Sequence, residues 1–206
     1  MASIAHHFLT MAYNNAWANY RLLKACSCLS QIDFLATRTS FFPSIKATLN
    51  HILTVDWYYV DALERQRNHQ PPHPEAWQFF EPEEPLDTCI ELQKAQREVD
   101  QRLILLCKQL TDEIVDQPVL VPRSQGIQTE TLSRLLAHLF QHQIHHRGQV
   151  HAMLAGTTIE PPPLDEFFCA NEADLRKDDF LELGFSESEI WDGTAISTGK
   201  DLDETV

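Results

Sequence analysis

The sequence predicts an all-α protein, a four-helix bundle with an acidic, partly irregular C-terminal extension. Glycine is scarce, with six in 206 residues, and no long run alternates Val, Ile or Thr with polar residues as a strand would. Four long segments instead repeat apolar residues every three or four positions. Four such apolar stripes are most economically buried around one common axis.

The first predicted helix begins after Ser3, a candidate N-cap, and runs to about Leu29. Residues 30–42 are interpreted as a connection with one helical turn near Asp33. This helix is amphipathic, so one of its sides is expected to face the core.

The second predicted helix has Pro43 at its first position, where the missing N–H costs nothing, and it continues to about Arg67. His51 lies in its first half. Residues 68–86 contain five prolines and are interpreted as a surface loop without a regular element.

The third predicted helix follows the capping candidates Asp87 and Thr88 and runs to about Leu110. Residues 111–128 contain a short apolar run followed by proline and glycine. This pattern is consistent with a short β-hairpin.

The fourth predicted helix, capped by Thr129 or Thr131 and ended by Gly156 as a C-cap glycine, contains half of the ten histidines. A stripe at i, i+4 and i+8 lies on one face of it, formed by His138, His142 and His146. Two imidazoles one turn apart can chelate a divalent transition metal. The alternative is a pair of partly buried histidines with ordinary hydrogen-bond partners.

The protease motif His-Glu-x-x-His is excluded here because Gln143 follows His142. A metal site needs a third ligand. His51 is the best candidate because it is the only histidine on another predicted core helix. His138 could be a ligand or a neighbour of one, and Asp56 is expected to pair away from His51. The remaining histidines are interpreted as structural or surface residues: His6, His7, His69, His73, His145 and His151.

Charge divides the chain into a predicted bundle, residues 1–160, and an acidic extension, residues 161–206. From residue 160 onward there are fourteen acidic and three basic side chains, out of a total net charge of −14. We expect the extension to dock partly on the bundle and the last dozen residues to be disordered.

Composition also excludes several classes of protein. The acidic charge argues against nucleic-acid binding, and no apolar stretch is long enough to span a membrane. Five scattered cysteines form neither a disulfide framework nor a zinc clip, and the N-terminal residues lack the pattern of a signal peptide. A cytoplasmic protein with reduced thiols is therefore expected.

The run His138-Leu-Phe-Gln-His142-Gln-Ile-His-His146-Arg-Gly-Gln resembles the signature of the DinB-like proteins, the damage-inducible B and YfiT types. Three further blocks are similar, in the same order within residues 13–168: Tyr13-Asn-Asn-Ala-Trp17-Ala-Asn19, LNHILTVD around His51, and PPPLDEFF after the fourth helix. This family is unrelated to the translesion polymerase that shares its name. The role of Arg147, Gly148 and Gln149 within the motif is left open.

The resemblance implies a four-helix bundle that holds a divalent metal through His51, His142 and His146, with water in the remaining positions. Zinc or nickel is expected, with iron or manganese as alternatives, because nitrogen ligands admit several metals. Relatives in the family include thiol-dependent S-transferases that use low-molecular-weight thiols and a maleylpyruvate isomerase branch. Many members of the family pair as homodimers, and a homodimer is expected here.

Two function classes follow. In the first, a metalloenzyme activates a small thiol or water for attack on an electrophilic small molecule. In the second, a non-catalytic metal-binding protein acts in a stress response or senses a ligand. The motif offers no general acid or base, so no catalytic residue is assigned. Tyr13, Trp17 and Trp57 either line a pocket beside the metal or belong to the core.

Overall fold

The computed structural model describes residues 3–191, which are mostly helical and include one small two-stranded sheet. The prediction of a mainly helical chain is confirmed. The expected disorder of the last dozen residues lies outside the described residues. The helices are α1 (Ile4–Cys26), α2 (Gln31–Leu35), α3 (Ile45–Arg67), α4 (Cys89–Cys107), α5 (Leu132–Leu154), α6 (Ala173–Leu183) and α7 (Glu187–Trp191), and the strands are β1 (Pro118–Arg123) and β2 (Gly126–Thr131).

The four long helices pack through their apolar sides. Both α1 and α3 contact α4 and α5, so each long helix has two long neighbours. Leu22, Leu53 and Leu139 are fully buried in the shared core, and each such leucine stabilises the fold by roughly 1.5–3 kcal/mol. Within residues 3–191, every helix is too short or too polar to cross a lipid bilayer.

The predicted caps at the starts of three long helices are confirmed. The Ser3 side chain accepts a hydrogen bond from a backbone N–H of the first turn of α1. Thr88 and Glu91 form a reciprocal capping box at α4. Of the two candidates at α5, Thr131 is the cap.

The predicted start of α3 is wrong. Ser44 has extended backbone geometry and its side chain accepts the N–H of Ala47, so Ser44 is the N-cap and Pro43 precedes the helix. Likewise α2 begins at Gln31 rather than near Asp33, because Ser30 caps it.

Three predicted helix ends are also wrong, and one of them is that of α4, which ends at Cys107 rather than near Leu110. Helix α1 ends at Cys26 rather than near Leu29, because the next backbone N–H groups bond three residues back and tighten the chain. Helix α5 ends at Leu154 with Ala155 as its cap, and Gly156 does not adopt a left-handed conformation. The backbone conformation at position 156 therefore does not require a glycine.

The proline-rich loop is more regular than expected. One 3₁₀ turn, Ala76–Phe80, packs against α3. The predicted hairpin is present: β1 and β2 are antiparallel, and Arg123 pairs with Gly126 at the turn. Gly126 has a φ of +128°, which favours glycine. Val119 and Val121 are fully buried and anchor the hairpin to the core.

The acidic segment folds back on α1, with both α6 and α7 in contact with it. Arg21 pairs with Asp179 at 2.5 Å and with Glu166 at 2.8 Å. Trp17 donates its indole N–H to the same Asp179 carboxylate at 3.2 Å. Basic side chains of the body thus bind the acidic segment. The proposed boundary at residue 160 stays a prediction.

Candidate metal centre

Three histidines from two long helices converge. His51 on α3 faces His142 and His146, which lie one turn apart on α5, and one ring nitrogen from each lies within 4.8 Å of the others. The convergence follows from the packing of α3 against α5. The structure therefore brings together the three residues predicted to be metal ligands.

The hydrogen bonds identify which nitrogens face the cluster. The Nε2 atoms of His51 and His142 are 3.0 Å apart, so at most one of them carries a proton. The Nδ1 of His146 lies 2.9 Å from the side-chain oxygen of Gln149. An amide oxygen only accepts, so this Nδ1 carries the proton and the Nε2 of neutral His146 keeps its lone pair.

Gln149 is itself held in place. Its amide nitrogen lies 3.1 Å from the Nε2 of His145 and donates to it. This second contact fixes which end of the amide points at His146. Metal-ligating histidines usually donate their second nitrogen to such an acceptor, which sets the orientation of the ring. Gln149 and His145 thereby gain roles that the sequence alone did not supply.

The three imidazoles are neutral at neutral pH. Burial, together with a smaller effect of the nearby His146, lowers the pKa of His51 to about 4 and that of His142 to about 3. Burial also lowers the pKa of His146 itself. Neutral imidazole is the form that coordinates a metal.

The donor set fits a divalent transition metal. Three nitrogen ligands with an open side match the protein share of catalytic zinc sites and also suit nickel or iron. Within residues 3–191, the Nδ1 of His142 is buried without a hydrogen-bond partner. That ring therefore makes its polar contact at the cluster through Nε2.

His138 lies outside the ligand group. Its side chain is exposed, its ring centroid is 6.2 Å from that of His142, and its ring meets Tyr59 edge-on at 5.3 Å. Tyr13 and Trp17 are core residues, 1% and 0% exposed. Of the two alternatives for these aromatics, core and pocket lining, the core is therefore confirmed for Tyr13 and Trp17.

Two clefts open at the cluster. The larger, about 650 Å³, reaches His51 and is rimmed by the carboxylates of Glu81, Glu83 and Glu84. The smaller, about 190 Å³, reaches His142. The aromatic side chains of Trp77 and Phe80 line both clefts. Sequence reasoning missed these two aromatics, although their presence in a proline-rich loop was a usable signal.

The similarity of this chain to known proteins identifies its family. A sequence model of the DinB family matches residues 3–178. The chain belongs to the DinB family. The protein named DinB from Bacillus subtilis (strain 168) is 28% identical over 163 residues, which cover 73% of this chain and 86% of that relative. The resemblance inferred from the histidine motif is thus confirmed, and the DinB match includes all three clustered histidines.

A second polar group lies inside this DinB chain, and we call it the buried polar layer. Every long helix contributes to it, and all its side chains are buried. Its members are Asn15 and Asn19 on α1, Asp56 on α3, Gln96 and Asp100 on α4, and Gln143 and Arg147 on α5. The layer was not foreseen from the sequence, because no residue in it has a distinctive spacing.

Hydrogen bonds connect the layer. Asp56 accepts from Gln96 at 2.7 Å and also from Gln143, so the prediction that it pairs away from His51 is confirmed. Arg147 donates to the side-chain oxygen of Asn19 at 2.9 Å. The amide of Asn19 in turn donates to Asp100 at 3.0 Å.

Burial shifts the pKa values of the ionisable groups in the layer. Burial, together with a smaller effect of the nearby Asp100 carboxylate, raises the pKa of Asp56 to about 7. Burial also raises the pKa of Asp100 to about 6 and lowers that of Arg147 to about 10. The histidine cluster of this chain therefore lies beside a buried layer of polar and charged side chains.

Proposed function

We propose that this DinB-family protein binds a divalent transition metal through His51, His142 and His146 and uses the site in a thiol-dependent transfer to an electrophilic small molecule. Water is the alternative nucleophile. The observation that carries the proposal is the convergence of three ring nitrogens within 4.8 Å, with His51 and His142 each lining a cleft. Zinc or nickel is the expected metal, with iron or manganese as alternatives.

A bound metal of this kind supplies Lewis acidity and lowers the pKa of a coordinating thiol or water. The protein's own residues would prepare the site. The three imidazoles bring no charge that would offset that of the cation. Gln149 holds the ring of His146, and Trp77 and Phe80 would give both clefts an apolar wall against the substrate.

The nucleophilic thiol would have to come from solution. Burial raises the pKa of Cys26, Cys89 and Cys107, which disfavours their thiolates. Cys28 and Cys169 are exposed but line neither cleft. A low-molecular-weight thiol, as the family resemblance implies, fits this arrangement.

We also propose a fold, a cellular location and an oligomeric state for the protein. The mutual packing of the four long helices supports a four-helix bundle. The five cysteines, none in a disulfide, support a reducing, cytoplasmic setting. A homodimer is proposed from the family resemblance alone, and size measurement in solution tests it.

The metal proposal is tested by elemental analysis of protein purified without an affinity tag. Wild type should retain about one metal ion per chain, and His51→Ala and His142→Ala less than about a tenth, because two ligands alone bind weakly. His138→Ala is the matched control, on the same helix face but outside the ligand group, and should retain the metal. Stoichiometric metal in both ligand variants would refute the assignment.

The transfer is tested by assays with several small thiols and a generic electrophile. A metal-dependent rate above the solution background is expected in wild type and not in His142→Ala. The absence of such a rate, with the metal still bound, would refute the transfer and favour the second candidate.

That second candidate is a non-catalytic metal-binding or ligand-sensing protein. One observation favours it: within residues 3–191, the hydrogen-bond partners of the three rings are a neutral amide and another ring. No carboxylate or lysine of the described chain bonds to the cluster to serve as a general acid or base.

A further inference from the structure

The smaller cleft is lined by an arginine that forms no ion pair with any described residue. Arg123, the last residue of β1, donates to the hydroxyl of Tyr59 at 3.0 Å and to the side-chain oxygen of Gln128 at 3.2 Å. Within residues 3–191, no carboxylate lies within 4.0 Å of its guanidinium, whereas Arg21 and Arg176 are both paired in this way. Glu130 attracts Arg123 through space, but its carboxylate pairs directly with Arg134 at 3.2 Å, so the guanidinium of Arg123 can still pair with a ligand in the cleft.

Several contacts hold Arg123 in position before any ligand arrives. Its guanidinium carbon lies 5.7 Å from the ring centroid of Tyr58 and 5.5 Å from that of Tyr59, both on α3. The hydroxyl of Tyr58 donates to the Pro122 carbonyl, which ties the hairpin to the helix. A charged group held in this way loses little side-chain entropy on binding.

The shape and lining of the cleft restrict the ligand. Its volume of about 190 Å³ corresponds to about six water molecules. Tyr58, Trp77 and Phe80 provide aromatic walls, and His142 of the cluster lies in the same lining. Arginine pairs with planar carboxylates through two parallel hydrogen bonds. A single cation among aromatic walls suits one carboxylate on a small apolar body better than a doubly charged phosphate.

We propose that Arg123 binds the carboxylate of a small aromatic or apolar carboxylic acid beside the histidine cluster. If the proposed function holds, this acid is its substrate. The larger cleft supports the same orientation, because Glu81, Glu83 and Glu84 at its rim repel an anion. The carboxylate would thus lie in the smaller cleft and the body of the molecule would extend past His142 toward His51.

The test uses phenylacetate and its neutral amide, phenylacetamide, with chelator-treated, metal-free protein, because a metal could itself bind the carboxylate. Binding is followed by NMR through the indole N–H of Trp77. Wild type should bind the acid at least about tenfold more tightly than the amide, as a charge-assisted hydrogen bond implies. In Arg123→Met this ratio should fall to within about twofold. Equal binding of acid and amide by wild type would overturn the proposal.

Two further variants keep the test specific. Arg67→Met removes an arginine that is exposed at the end of α3 and lines neither cleft, so it should keep the wild-type ratio. Arg123→Lys keeps the charge and should retain part of the preference, which separates loss of charge from loss of packing. An unchanged ratio in folded Arg123→Met would overturn the proposal, and so would loss of the ratio in Arg67→Met.

The test is independent of the metal proposal. His51→Ala should lose the metal and keep the preference for the acid, because His51 does not line the smaller cleft. If His51→Ala keeps the metal, the proposed function fails while the carboxylate site stands. If the preference is absent in wild type that binds metal, only the carboxylate site fails.

Discussion

The histidine cluster and the buried polar layer share helices α3 and α5 yet differ in burial, hydrogen bonding and charge. On α5, His142 and His146 turn toward His51, and His142 lines the smaller cleft, while the next residues, Gln143 and Arg147, are buried in the layer. These are two i, i+4 stripes about 100° apart on one helix. The cluster brings one nitrogen of each ring together, and His51 and His142 each line a cleft. The layer directs nearly all its polar atoms at one another.

The comparison shows how one helix supplies both an open site and its support. A group that binds a ligand needs a donor or acceptor atom that has no partner within the protein, whereas a buried charge needs hydrogen-bond or ion-pair partners there. Charge also separates the two regions. The cluster is neutral at pH 7, and the layer combines two carboxyl groups with one guanidinium.

The largest expected effect is that of Arg147→Met. Removing the only cation of the layer leaves the side-chain oxygens of Asn15 and Asn19 without this donor, and it removes the positive charge that attracts the buried Asp100 carboxylate. The free energy of unfolding should fall by about 3–5 kcal/mol, as when one partner of a buried ion pair is removed. Chemical denaturation measures it.

The control for this prediction is Arg134→Met on the same helix. Arg134 is 76% exposed and pairs only with Glu130, so the change should cost less than about 1 kcal/mol. A loss of less than about 1 kcal/mol for Arg147→Met as well would mean that the layer does not depend on its cation.

The next effect concerns pH in the metal-free protein. The pKa of Asp56 is raised from its ordinary 3.8 to about 7. Its contribution to the free energy of unfolding is therefore complete below pH 3.8 and is lost as the pH rises toward 7. The loss should be on the order of 2–4 kcal/mol. In Asp56→Asn this loss should be absent, and the difference between the two unfolding curves across pH 4–7 isolates it.

The cluster should act in the opposite direction. Because the pKa values of His51 and His142 are lowered, these residues contribute to the free energy of unfolding above pH 6.5, and this contribution is lost as the pH falls toward 4. His51→Ala should therefore be less sensitive to acid than wild type. Parallel pH profiles for wild type and Asp56→Asn would contradict the assignment of the first trend to Asp56.

The smallest effect is that of Gln149→Ala. Without its acceptor, the ring of His146 loses its fixed orientation, and metal affinity should fall about 10-fold, within the usual range for such support. Competition with a chromophoric chelator measures the affinity. Gln141→Ala is the control, because Gln141 is exposed on the same helix. Equal affinities for both variants would remove Gln149 from the site.

Local pattern was enough to predict the long helices and the three clustered histidines. Apolar periodicity and caps are local signals, and the i, i+4 pair on α5 follows from helix geometry alone. His51 needed only the assumption that the two helices face one another. Pro43 misled because a better cap, Ser44, follows it directly.

The missed features depend on the tertiary structure. Arg123 reaches the cleft only because a hairpin turn places it over two tyrosines of α3. Asp56 and Asp100 become a buried pair only when α3 packs against α4. Neither arrangement leaves a periodic signal in the chain, so neither could be predicted from the sequence.

The ion pairs of Arg21 bear on the order in which the chain can fold. Arg21 and Asp179 are 158 residues apart, so α1 is made long before the segment that covers Trp17 and Arg21. Until that segment arrives, the outer face of α1 keeps an apolar indole and a cation in water. Contacts of such long sequence separation close slowly and late. The first helix of the chain is therefore expected to be among the last to complete its native contacts.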